Sequence, residues 1–134
     1  MRSAFNARAL AGSLALAALL APNAAPAQQL INEWTGNGTS VVWSGWSDLA
    51  KKTGSMGVSE RCISGAVYVR FRNNDPTRDT LRFRYAFGPP KSHATGTGHY
   101  TELKANEESK SIWVPSVTCD ITAHPYTIYF YAVR

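Results

Sequence analysis

After residue 28 the chain has almost no helical periodicity; short runs rich in Val, Ile, Thr, Tyr, Phe and Trp recur instead between clusters of turn formers. Such runs bury one face only by stacking sheet on sheet. The clearest is Ile63 to Arg72, where Val67, Val69 and Phe71 alternate with Tyr68, Arg70 and Arg72. Asn73-Asn74-Asp75-Pro76-Thr77 is dense in turn formers, and Leu81 to Phe87 then alternates Leu81, Phe83, Tyr85 and Phe87 with Arg82, Arg84 and Ala86. The two runs read as a hairpin. Further strands are expected at Ser40 to Trp46, His99 to Lys104, Lys110 to Val114, Val117 to Thr122 and Tyr126 to Val133. Ser47 to Thr53 reads as a helical turn, and Gly88 to Gly98 as the longest loop. About seven antiparallel strands with no helix between them predict an all-β fold, a small antiparallel β-sandwich.

The first 27 residues carry a different signal. Arg2 and Arg8 precede an Ala- and Leu-rich run from Leu10 to Ala21, and Ala25-Pro26-Ala27 places small residues at −3 and −1 of a cleavage point. This is the pattern of a secretory signal peptide, with an apolar run too short to span a bilayer. It predicts a secreted or periplasmic protein, and the alanine-rich leader suggests a bacterial one. Cleavage leaves 28–134, about 107 residues, enough for a single domain with one core. Losing Arg2 and Arg8 takes the 14 basic residues to 12 against 9 acidic, a modest excess. That excess allows attraction to anionic polymers but falls short of the clustered basic surface of a nucleic-acid binder.

Cys62 and Cys119 are the only cysteines, and in an oxidising compartment an isolated pair in a small domain is expected to form a disulfide. No Cys-x-x-Cys pair suggests redox chemistry, and two cysteines with scattered histidines do not make a zinc site. No cofactor is expected.

The stretch Ala66-Val67-Tyr68-Val69-Arg70-Phe71-Arg72-Asn73, followed by Leu81-Arg82-Phe83-Arg84-Tyr85 and then by Leu103 through Ile112, resembles immunoglobulin-like and fibronectin-III-like sandwich modules of exported proteins. The resemblance covers residues 60 to 134 and implies an architecture without implying an activity. The cysteine and tryptophan positions do not follow the antibody-domain pattern closely.

Two surface patterns point to binding. In a hairpin, Arg70, Arg72, Arg82 and Arg84 would share the face opposite the apolar side, paired with acids such as Glu102 or Glu60, or holding an anionic ligand. The last strand sets Tyr129 and Tyr131 opposite Ile128 and Phe130, so one aromatic pair could face outward beside Trp113 or Tyr68 as a stacking platform, unless the 88–98 loop covers it. For turnover the inventory is thin: His93, His99 and His124 come with no nucleophile elbow, no His-Glu-x-x-His and no clustered acids. The residues therefore predict a binding module rather than an enzyme, with no metal. The expected partner is an envelope glycan, an anionic polymer or another exported protein. The rival reading is an assembly subunit acting by strand or edge pairing, and a small secreted hydrolase is the remote one.

Overall fold

The structure is a computed structural model and describes residues 29–49, 56–76, 80–92 and 98–133; the leader read at 1–27, His93 and residues 50–53 of the expected helical turn lie outside them, and the described start of that turn, Ser47–Leu49, is a strand instead. Among the described residues eight strands are formed, one more than the sequence suggests: β1 (Leu30–Gly36), β2 (Ser47–Leu49), β3 (Met56–Ile63), β4 (Ala66–Asn73), β5 (Thr80–Gly88), β6 (His99–Lys104), β7 (Ile112–Thr118) and β8 (Tyr126–Tyr131). They make two four-stranded antiparallel sheets, ordered β1-β8-β5-β6 and β2-β3-β4-β7. Among the described residues no helix is long and apolar enough to cross a membrane.

The expected alternation of β4 and β5 is present, but the hairpin between them is not. β4 belongs to the second sheet and β5 to the first, so the chain crosses the sandwich between them. The apolar faces of the two strands therefore meet instead of lying side by side. Phe71 from β4 packs edge-on against Phe83, Tyr85 and Phe130 from the first sheet, with ring centroids 5.1–5.6 Å apart. Asn73 anchors the crossing from within: fully buried, it donates to the Leu103 carbonyl and accepts from the Asp75 N–H.

The hairpin that does form is β3–β4. Ser64 and Gly65 both have positive φ, 51° and 81°, the signature of the tight two-residue turn that matches strand twist. Cys62 near the end of β3 is bonded to Cys119 just past β7, with Cα atoms 5.9 Å apart. The bridge thus lies within one sheet, and the Cys119 N–H adds a bond to the Gly65 carbonyl at 3.0 Å.

Two core tyrosines couple the fold to pH. Burial pushes the Tyr126 hydroxyl well above its ordinary value, and the adjacent Glu60 charge adds to the shift; burial also raises Tyr85 against the opposing hydrogen bond to Thr101. Both groups fold neutral, so their contribution is complete below about pH 10 and is lost as pH climbs from there towards the raised folded values. For Tyr126 the expected decline is up to about 1.4 kcal/mol per pH unit above that point. Urea midpoints measured from about pH 9 to pH 11 check this, and Tyr126→Phe should flatten the descent.

Candidate functional site

The segment 40–46 has no regular strand, yet it is fastened along β3. The Cys62 N–H bonds the Ser40 carbonyl at 2.6 Å, the Ser44 N–H bonds the Glu60 carbonyl at 2.9 Å, and the Ser44 hydroxyl accepts from the Glu60 N–H at 3.0 Å. Because the segment is not extended, Trp43 and Trp46 do not alternate sides as a strand would require. Both lie on the outer face of the second sheet, where they interleave with the arginines of β4. The Arg70 guanidinium carbon sits 4.4 Å from the Trp43 ring centre and 4.7 Å from that of Trp46, and that of Arg72 sits 4.4 Å from the Trp46 ring centre. Cation–π contacts of this kind contribute roughly 0.5–2 kcal/mol each. Gly57 leaves room for the stack, since a Cβ there would stand 3.1 Å from the Trp46 ring and 2.9 Å from Asn74.

Each of these two guanidinium groups also has a polar partner, although the Arg70 Nε, like that of Arg61, is enclosed without a hydrogen bond. Arg70 pairs with Glu108 at 3.5 Å, and Arg72 donates to Asn74, which in turn donates to Asp48. Arg82 and Arg84 lie on the opposite side of the molecule, on the outer face of the first sheet. Arg82 pairs with Glu102 directly across the β5–β6 ladder at 3.5 Å, and Arg84 lies over the Tyr100 ring. The four arginines are therefore split two and two, and the single cationic face expected of the hairpin is not assembled.

The tyrosine platform is also absent. Tyr129 and Tyr131 are buried, 0% and 5% exposed. The start of the 88–98 loop covers Tyr129: its hydroxyl donates to the Pro89 carbonyl at 2.6 Å and accepts from the Ser92 N–H at 3.0 Å. Trp113 lies on the other sheet, away from both tyrosines, and is 58% exposed.

Trp113 has different neighbours. The β3–β4–β7 ladder places Arg61, Tyr68 and Trp113 in one cross-strand row on the outer face of the second sheet. The Arg61 Nε is enclosed without a hydrogen-bond partner, and no carboxylate among the described residues lies within ion-pair range of this guanidinium. Exposed Ile63, Val41 and Ile121 are carried on the segments that the disulfide and the Ser40–Cys62 bond join at this end. Reading the sequence for strands missed Arg61, because β3 was not recognised.

Two other places bear on chemistry. A cleft of about 360 Å³ opens where the end of β5 meets the irregular part of β7, lined by Phe87, Pro89, Pro115, Val117, Pro125 and Tyr126. The Tyr126 hydroxyl is already committed to Glu60, so the cleft offers shape and apolar surface. In the turn before β8, Asp120 Oδ1 accepts from the Thr122 hydroxyl and N–H and lies 3.1 Å from His124 Nε2. Those Thr122 bonds hold the Asp120 carboxyl below its ordinary value. The cluster faces solvent within one local turn. His99 lies on β6 against the Tyr85 ring, apart from this cluster. Among the described residues no group of three or more His, Cys, Asp or Glu is arranged to hold a metal ion.

Comparison of the chain with protein-family models, with curated proteins and with solved structures finds no match in any of the three.

Proposed function

We propose that the protein is an exported binding module that takes an acidic glycan of the cell envelope on the outer face of its second sheet. The observation that carries this reading is Trp113: a large flat ring, mostly in solvent, on a sheet edge and in one row with Tyr68 and Arg61. Indole and phenol rings offer extensive apolar area at low entropy cost, which suits the flat face of a pyranose. Arg61 supplies a guanidinium whose planar fork matches a carboxylate or sulfate. At about 4.8 Å per strand step, Arg61 and Trp113 stand about 10 Å apart, a distance a disaccharide spans. Arg70 and Arg72 act in this reading as the rigid bed of the face, since indoles cover both, Glu108 pairs with Arg70 and Asn74 holds Arg72.

The leader pattern and the oxidised cysteine pair support export to the periplasm or beyond. The immunoglobulin-like or fibronectin-III-like type has support only as far as two facing antiparallel sheets. The antibody-type bridge joins two sheets, whereas Cys62–Cys119 stays within one.

The test is an array of acidic and neutral envelope oligosaccharides probed with folded, disulfide-intact protein. Trp113→Ala, a change at an exposed position, should leave the fold intact and weaken binding at least tenfold, about 1.4 kcal/mol. Binding should also fall as salt rises, because a carboxylate–guanidinium contact at the surface is screened. A flat array would end the glycan reading, and undiminished binding by Trp113→Ala would move the site elsewhere.

A further inference from the structure

Of the four edge strands, three carry devices that blunt an edge. β1 is broken by the register shift between Leu30 and Asn32, and the Asn32 side chain occupies the Glu33 N–H. β2 has three residues, while β7 carries Pro115 and a left-handed Ser116 with φ 64°. β6 has none of these: it runs from His99 to Lys104 in unbroken register with β5.

Which backbone groups of β6 face outward follows from the ladder. The Ala132 N–H bonds the Gln29 carbonyl, so even-numbered residues of β8 turn towards β1 and odd-numbered ones towards β5. The pairs Arg84↔Tyr131 and Ala86↔Tyr129 then assign the even residues of β5 to β8 and the odd ones to β6. Through Phe83↔Thr101 and Tyr85↔His99, the backbone groups of Thr101 and His99 are committed to β5, which leaves those of Tyr100 and Glu102 facing out. Lys104 gives an independent check. It shares their orientation, and both its N–H and its C=O are taken by Glu107, at 2.8 and 3.0 Å, not by β5.

From this edge we infer that a second copy of the chain pairs antiparallel with β6 about a two-fold axis at Thr101, joining the two first sheets into one. The axis is set by what each register would oppose. An axis at Glu102 sets two carboxylates against each other, which disfavours pairing. An axis at Leu103 needs the backbone groups of Lys104, which Glu107 holds. An axis at Tyr100 pairs Glu102 with Gly98, whose φ of 65° is not that of a strand. At Thr101, Tyr100 and Glu102 of each copy exchange both backbone bonds with Glu102 and Tyr100 of the other. The outer face then reads Arg82, Glu102, the second copy's Tyr100 and the second copy's Arg84, with no like charges adjacent. The contact is short, so the dimer belongs to the weak class and forms in a concentration-dependent way. This inference is independent of the glycan reading, because it uses the other sheet.

The test is analytical ultracentrifugation of the disulfide-intact protein up to about 1 mM, together with amide exchange at low and high concentration. The expected result is a rise in mass towards twice that of the monomer, with exchange at Tyr100 and Glu102 slowing as the dimer forms. Tyr100→Pro removes an N–H the monomer does not use and should remain monomeric with an unchanged tryptophan emission spectrum. A monomer at every concentration would overturn the inference. So would a dimer in which the Tyr100 and Glu102 amides exchange as before, and the exchange measurement needs no variant.

Discussion

Replacing Cys62 and Cys119 together by alanine should lower the stability of the domain by about 4 kcal/mol, the loop entropy released when residues 57 apart are no longer tied. For a domain of this size, whose total stability is expected at roughly 5–15 kcal/mol, that is a sizeable share, equivalent to a fall in Tm of roughly 20 °C. The bridge also acts at a sensitive place: it joins β3, beside the β3–β4 turn, to the exit of β7, the edge strand whose ladder is already irregular. Urea denaturation of the oxidised protein and of the double variant measures the difference. The variant should also show a steeper denaturant slope, because its unfolded chain is less compact. A loss below about 1 kcal/mol would mean that the unfolded chain is held by something other than the bridge.

Strand content was legible where one face alternates cleanly, as in Val67, Val69 and Phe71 of β4 and Leu81, Phe83 and Tyr85 of β5. What the alternation does not carry is the partner of each strand. The turn formers Asn73 to Thr77 suit a return within one sheet or a crossing between two equally well, and the choice is made by β7 and β8, which arrive later to flank β4 and β5. The split of the four arginines follows from that choice. β3 was hidden for a different reason: Ser59-Glu60-Arg61 interrupts its pattern, yet Ser59 and Glu60 are buried. Ser64-Gly65 was the available signal, a two-residue turn directly before the strand that was recognised.

The site shows the same limit. In β8 both faces are apolar because both are covered, one by the second sheet and the other in part by the 89–92 segment. Alternation alone could not say that neither face was free. The Trp43-Ser44-Gly45-Trp46 segment looked like a strand, but its indoles stack on Arg70 and Arg72 only because it departs from strand geometry. Exposed Trp113 was identifiable by residue type; its row with Tyr68 and Arg61 needed the register of three strands.

Glu60→Ala should cost about 3 kcal/mol although it removes a buried charge, because the carboxylate is where three elements meet. Its Oε1 accepts from the Tyr126 hydroxyl at 2.8 Å and the Gly38 N–H at 3.0 Å, while Oε2 takes the Asn37 N–H at 3.4 Å. It thereby ties β3 to β8 of the facing sheet and to the turn after β1. The fit is close: a Cβ on Gly36 would stand 2.7 Å from the Tyr126 hydroxyl and 2.8 Å from Glu60 Oε1, and Gly38 holds a φ of 70°. Alanine would leave a buried hydroxyl and a buried N–H without partners, at about 1–3 kcal/mol each. Glu60→Gln keeps an oxygen able to accept from both and should cost only about 1 kcal/mol. A cycle with Tyr126→Phe separates the contributions: with the hydroxyl gone, Glu60→Ala strands one donor fewer, so the two losses should fall short of additivity by about 1 kcal/mol or more. Additive losses, or an alanine variant as stable as the parent, would show that Glu60 is tolerated in the core rather than needed there.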